Sequence, residues 1–404
     1  MAEQAVSGQG MTSRVIDLTD PGLFLGESPD GVYAELRRQG PLWRNRSAHG
    51  PDFWAVVRHQ EIVRGYADSK SFSSVNGIRL GTDPAAAGRA AQRMLIVSDP
   101  PTHTGLRGDI NRTLGPAVLR ALTARLHETV RTVLDQALQL PEIDFVSEVA
   151  SRIPEDTICQ LLGVPETDRS ELARLTTQAF ESPDEQVRRA ANAEVFLYFD
   201  ELVTRYRHRG TDDQGSQDVV TVLAASSLDT ETIVLNCAGL LAGGNETTRH
   251  AISGGLLALT QFPDQFTGLG QDEALVDSAV EELLRWTTPA VYVLRNVVRP
   301  VELGGVELLP GEQVALWNAS GNRDEAVFPD PGRLDLARFP NRQLAFGHGR
   351  HTCIGARLAR LEIAAFLSGL RTKVGGVEIT GTPEWNGSNF ARGLRRLPVR
   401  LIPR

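Results

Sequence analysis

The sequence predicts a mainly α-helical fold with a small β part, organised as a single domain over residues 1–404. Three observations carry that prediction. From about residue 100 to 290, Leu, Val and Ala recur at three- and four-residue spacing, the period of helices packed on one face. Within that half, residues 229–262 are apolar on most faces. At 1.5 Å per residue this run reaches about 50 Å, which makes it a central, buried helix. Beyond Pro289, residues 291–299, 301–309 and 313–317 are β-rich and broken by Gly and Pro, as hairpins are.

The remaining elements follow in order. Residues 1–20 are expected to form a flexible tail, followed by a short helix at 31–39 and a compact apolar strand at 53–57. Residues 76–96 mix Gly, Pro, Ala and Arg without period and predict a long loop, a length usually tied to function. Asp99-Pro100-Pro101 opens the helical half, since an acidic, proline-rich turn is a good helix start. A last helix over 354–372 follows Cys353, and a short β-rich tail ends the chain.

Composition narrows the function classes. Lys and Arg total 42 against 50 Asp and Glu, a formal charge of −8, which argues against sequence-independent nucleic-acid binding. No stretch approaches the ~18–20 consecutive apolar residues that span a bilayer. The polar N-terminus lacks the apolar core of a signal peptide. The three cysteines, Cys159, Cys237 and Cys353, are far apart and odd in number, so they make no disulfide framework and favour a reducing compartment. A cytoplasmic protein that binds neither nucleic acid nor membrane is the expectation.

The chemistry centres on residues 345–356, Ala-Phe-Gly-His-Gly-Arg-His-Thr-Cys-Ile-Gly-Ala. Glycines four and six residues before Cys353, and one two after it, mean a backbone that turns tightly and approaches something closely. The helix beginning just after Cys353 aims its positive end at the sulfur, which favours thiolate. A lone cysteine is more often a small buried hydrophobe. His351-x-Cys353 as half a zinc site lacks two further ligands at finger-like spacing. The full pattern Phe346-Gly347-x-Gly349-x-His351-x-Cys353-x-Gly355 is far more specific than either, and it resembles the haem-binding signature of the cytochrome P450 family.

Further stretches match in the same order. Glu282-x-x-Arg285 resembles the family's Glu-x-x-Arg helix motif, a buried pair joined by an arginine from the segment before the cysteine loop. Arg333 fits that place, with Leu334 where the family usually has Phe, and Asn322-Arg323-Asp324 resembles a recurrent structural tripeptide. Ala242-Gly243-Gly244-Asn245-Glu246-Thr247-Thr248 lies mid-helix, where each glycine costs about 1 kcal/mol relative to alanine. The bland reading is a glycine-mediated helix crossing with a capped threonine. The resemblance implies room for dioxygen, with Glu246 and Thr247 catalytic in proton delivery. His103 and Arg107, four apart and so on one helix face, resemble with Arg295 and His351 the family's clamp on the haem propionates.

What the resemblance implies is a cytochrome P450 fold with haem b between the long helix and the cysteine-loop helix, and with Cys353 as the axial ligand. Phe346 and Gly355 complete the cofactor contacts. The activity implied is a monooxygenase that hydroxylates or epoxidises a medium-to-large lipophilic molecule, in secondary-metabolite biosynthesis. Asn76, Leu80, Leu240, Gly243, Val291, Val293, Leu294 and Phe390 are the positions expected along the substrate pocket, with Val291, Val293 and Leu294 as readily core. Electrons would come from a ferredoxin and its reductase, docking near Arg112, Arg350, Arg357 and Arg360. Two other functions use the same site: a non-hydroxylating oxidation such as coupling or desaturation, and a non-catalytic haem sensor or carrier. A haem-free helical binding protein leaves the cysteine loop unexplained.

Overall fold

The computed structural model describes residues 16–26, 28–48, 50–181, 184–209 and 218–404. Its axis is the long helix Thr230–Gln261, 32 residues against the 229–262 expected. Asp229 caps it, its carboxylate accepting from the Thr232 amide at 2.7 Å, one of the donors a first turn leaves open. The helix stops at Phe262 because Pro263 starts the next one.

Around this axis pack Arg152–Leu162, Glu185–Arg209, Leu275–Thr287 and the cysteine helix Ala356–Lys373. Two apolar cores lie along the long helix. One gathers Leu134, Phe145, Ile252, Leu256, Leu283 and Phe366. The other gathers Leu161, Phe199, Ile233 and Leu241 and includes Cys159 and Cys237, whose thiols burial raises, that of Cys159 to about 12.

The largest sheet of the β part has five strands in the order Leu42–Asn45, Phe53–Val56, Gln313–Leu316, Val293–Val297, Phe72–Ser73, beside one three-stranded and two two-stranded sheets among the described residues. Only the pairing of Phe53–Val56 with Gln313–Leu316 is parallel. The strand Val293–Val297 sets Arg295 opposite Val314.

Two expectations are corrected. The stretch 76–96 is not all loop: Pro84–Ala90 is helical, capped by Asp83, and Leu95–Val97 forms a short 3-10 turn. Alanine repetition after Asp-Pro supplies both the helix propensity and the start signal. Residues 1–15 of the expected tail lie outside the described residues, but 16–20 pack onto the sheet. There Leu18 is fully buried and its amide donates to Asn45 Oδ1 at 2.8 Å.

Candidate functional site

The cysteine loop is held by its backbone. The Cys353 amide donates to the Phe346 carbonyl at 2.9 Å, closing the turn. Gly347 (φ +66°) and Gly349 (φ +70°) take the left-handed conformation that side chains rarely adopt. A Cβ at Gly349 would also stand 2.9 Å from the Tyr66 carbonyl oxygen. The loop thus sits tightly on the Tyr66 helix, His59–Ala67, and leaves the Cys353 side chain accessible. Protein packs the sulfur from its other sides. That desolvation raises the Cys353 thiol, against the Gly355 amide and the Arg107 and Arg360 charges, which lower it. The helix terminus therefore acts in the expected direction without prevailing, and a cation at the sulfur would be needed to hold the thiolate.

Four basic groups converge beside this loop. His103 and Arg107 lie on the helix Thr102–Arg112, Arg295 comes from the sheet, and His351 precedes the cysteine. The His103 and His351 rings are 4.1 Å apart, and the His351 Nε2 is 3.4 Å from Ser74 Oγ. Burial, Arg295, His103 and Arg107 push the His351 imidazole down to about 3. Burial and then Arg107 lower His103 likewise. Arg295 is buried over the Tyr66 ring at 5.6 Å and donates to the Leu294 carbonyl, with no ion pair among the described residues. A buried guanidinium without a carboxylate is costly. His103 Nε2 is likewise buried without a hydrogen-bond partner. Together they make a floor that fits the two carboxylates of a haem, with an accessible sulfur next to it for the iron.

The opposite wall is the long helix, continuous through the glycine pair. Its two glycines do different work. A Cβ at Gly244 would stand 2.8 Å from Ile158 Cδ1, so this glycine admits the helix Arg152–Leu162. Gly243 faces open space, with nothing within 4 Å of where its Cβ would be. The helix-crossing reading thus holds for Gly244 and the reading of open room for Gly243. Thr247 Oγ1 donates back to the Gly243 carbonyl at 2.9 Å, which leaves its oxygen free to accept. Glu246 is buried and accepts from Arg249 Nη2 at 2.5 Å, with His250 Nε2 at 3.7 Å.

The Glu282–Arg285 pair is fully buried and bidentate, both contacts 2.7 Å. Its expected third member is wrong. Arg333 is 66% exposed and reaches Asp264 at 3.8 Å, contributing only its carbonyl to Arg285 and Arg338. The side chain that meets Glu282 is Arg338, at 3.1 Å and largely buried. Leu334 is fully buried in the core, whereas Phe339, the residue after Arg338, is 92% exposed. Arg323 of the Asn-Arg-Asp tripeptide is buried beside this network, its guanidinium 4.1 Å from the Trp286 ring.

The expected pocket residues divide. Leu240 and Gly243 border the open face of the long helix, and Val293 and Phe390 are half-buried. Val291 and Leu294 are core, each 1% exposed. Leu294 points away from the strand face that carries Val293 and Arg295 because side chains alternate along a strand. Leu80 is half-buried with its amide on the Tyr292 hydroxyl, and Asn76 is exposed. Of the docking arginines, Arg112, Arg350 and Arg357 are exposed. Arg360 is engaged instead, paired with Glu281 and lying 4.6 Å over the Phe346 ring.

Sequence reasoning missed Glu362. It is buried on the cysteine helix beside the Thr248 and Thr157 hydroxyls, and burial raises its carboxyl to about 8. Glu155, across from Arg249 and Glu246, is raised by burial to about 7. The available signal was position: Glu362 interrupts the apolar stripe Leu358, Ala365, Phe366.

The family described as Cytochrome P450 matches residues 156–370. Cytochrome P450 NovI of Streptomyces niveus is 35% identical over 398 residues, covering 96% of this chain and 96% of that protein. Cytochrome P450 monooxygenase PikC of Streptomyces venezuelae is 35% identical over 410 residues, covering 97% and 96%. Among solved structures, that of P450 OxyD, involved in the biosynthesis of vancomycin-type antibiotics, superposes with TM-score 0.88 at 35% identity, over 96% of this chain and 100% of that one. Fold and relatives together define an oxidoreductase that incorporates oxygen and works with a haem iron, a small-molecule substrate and redox partners. The chain belongs to the cytochrome P450 family. Among the described residues no helix is long and apolar enough to cross a membrane.

Proposed function

We propose that this protein is a haem b monooxygenase that hydroxylates or epoxidises a medium-to-large lipophilic substrate, in secondary-metabolite tailoring, in the cytoplasm. The observation that carries this reading is the basic floor beside an accessible Cys353: a buried Arg295 without an acid and a His103 Nε2 without an acceptor. Two propionates would answer both, at His103, Arg107, Arg295 and His351. Cys353 would hold the iron, with Phe346 and Gly355 shaping the loop around it. The likeness to OxyD, which is involved in the biosynthesis of vancomycin-type antibiotics, supports the tailoring role.

When bound, the haem supplies dioxygen binding and O–O activation, which thiolate ligation favours. The chain's residues do the rest. The open face at Gly243 leaves room for oxygen and substrate. Thr247, already donating to Gly243, accepts a proton donor with its free lone pairs or turns outward to donate one. Glu246 holds the acidic end of that relay, positioned by its contact with Arg249. A Thr247→Ala variant is expected to keep consuming electrons while product per electron falls ~tenfold or more, since positioned proton transfer is lost. Unaltered coupling would remove Thr247 from the mechanism.

A ferredoxin is the electron donor in this reading. Arg350 and Arg357 are exposed toward its acidic surface, with Arg112, itself paired with Asp109, beside them, and a groove of about 310 Å³ is lined by Asn111, Leu114, Ile354 and Arg357. The test of the whole reading is turnover with a ferredoxin, its reductase and ¹⁸O₂ on a panel of lipophilic molecules. Products carrying one labelled oxygen support it, whereas unlabelled coupled or desaturated products favour the non-hydroxylating oxidation.

A further inference from the structure

The segment leading to the His103 helix is fastened to the long helix at one residue. Asn236, buried, accepts from the Leu95 amide at 2.8 Å and donates to the Arg93 carbonyl at 2.8 Å and the Thr232 carbonyl at 2.7 Å. Its amide thus grips both neighbours of Met94 and has its own helix as an anchor. Arg93 adds an exposed ion pair to Glu231, which contributes little by itself.

Between the two gripped residues, Met94 turns inward onto Gly239. A Cβ at Gly239 would stand 2.2 Å from the Met94 methyl, so the Met94 side chain occupies the notch this glycine leaves. Gly239, Gly243 and Thr247 are spaced by four and share one helix face. Gly243, in the middle, faces open space. The open face therefore runs from Thr247 past Gly243 and ends against Met94, about 12 Å away at 1.5 Å per residue.

We infer that Met94 is a specificity-determining side chain that closes the far end of the substrate cavity, and that Asn236 holds it there. This rests on the reading above that the cavity takes the substrate. The thioether is apolar and adaptable, so the substrate group that meets it is an apolar terminus. The Asn236 grip fixes the backbone on both sides of Met94, so the place of the stop is set while its thioether adapts, and this limits substrate length.

The test uses the holoenzyme and a series of 1-alkylimidazoles, whose ring nitrogen is a good iron ligand. Binding is read by the Soret shift and by calorimetry. In the wild type, affinity should rise about fourfold per added methylene and stop rising at one chain length, where the tail meets Met94. Met94→Ala should move that break outward by about two to three methylenes, the length of the group removed. Met94→Phe should move it inward, and Asn236→Ala should blur it. A break at the same chain length in both Met94 variants, with normal Soret shifts, overturns the inference alone. No Soret shift with any chain length in the wild type overturns the haem reading beneath it.

Discussion

Arg338→Ala is expected to destabilise the protein by about 3–5 kcal/mol, while Arg333→Ala stays within about 0.5 kcal/mol. The contrast follows from where each guanidinium lies. Glu282 is fully buried, and its carboxylate gathers Arg285 at 2.7 Å, Arg338 at 3.1 Å, the Asp335 amide at 3.0 Å and Asn341 Nδ2 at 3.0 Å. Removing Arg338 strips one of two cations from a charge that water cannot reach, leaves the Pro329 carbonyl without that donor, and leaves the Arg333 carbonyl with Arg285 alone. The Arg333 side chain lies in solvent, where an ion pair is screened. Denaturant midpoints at unchanged slope measure both. A costly Arg333→Ala beside a silent Arg338→Ala would restore the assignment drawn from sequence.

The second large effect is a pH dependence of stability. The Glu362 carboxyl is raised from 4.5 to about 8 by burial, against the Thr248 and Thr157 hydroxyls, and Glu155 is raised in the same direction. A raised acid pKa means the folded state holds a proton that the unfolded chain has released. The stability it contributes is complete below 4.5 and is lost as pH rises toward 8. Each pH unit of that window is worth at most about 1.4 kcal/mol, and relaxation around the ionised carboxylate reduces the total to ~1–3 kcal/mol. Glu362→Gln keeps the neutral shape, so it should raise stability at pH 8 by about that amount and flatten the profile between pH 5 and 8. Thermal unfolding across that range reads it out. A variant as pH-sensitive as the wild type would mean that Glu362 is ionised in the fold.

Much of this was legible from residue order because local chemistry determined it. Asp229 and Pro263 bound the long helix through a cap and a missing amide, so its ends were readable to within a residue. The cysteine loop was readable because Gly347 and Gly349 sit at positive φ, a constraint that leaves a glycine signature. His103 and Arg107 met because four residues is one helical turn.

What failed depended on distance along the chain. Arg333 and Arg338 are five residues apart in a segment without period, and only its path decides which one meets Glu282. Leu294 has the same apolar character as Val293, and alternation along the strand separates them, whereas Val291 lies before the strand and is packed into the core. Gly243 and Gly244 are adjacent and identical, yet one faces open space and the other Ile158. Arg360 looked like its exposed neighbours until Glu281, from another helix, claimed it.

Every role proposed for this site depends on Cys353 as the ligand of a haem iron. The direct measurement is the absorption spectrum of the purified protein, reduced under carbon monoxide, for the wild type and Cys353→Ser. A strongly red-shifted Soret band in the wild type that vanishes in the variant is the predicted result. No haem band, or a band unchanged by the substitution, would contradict it.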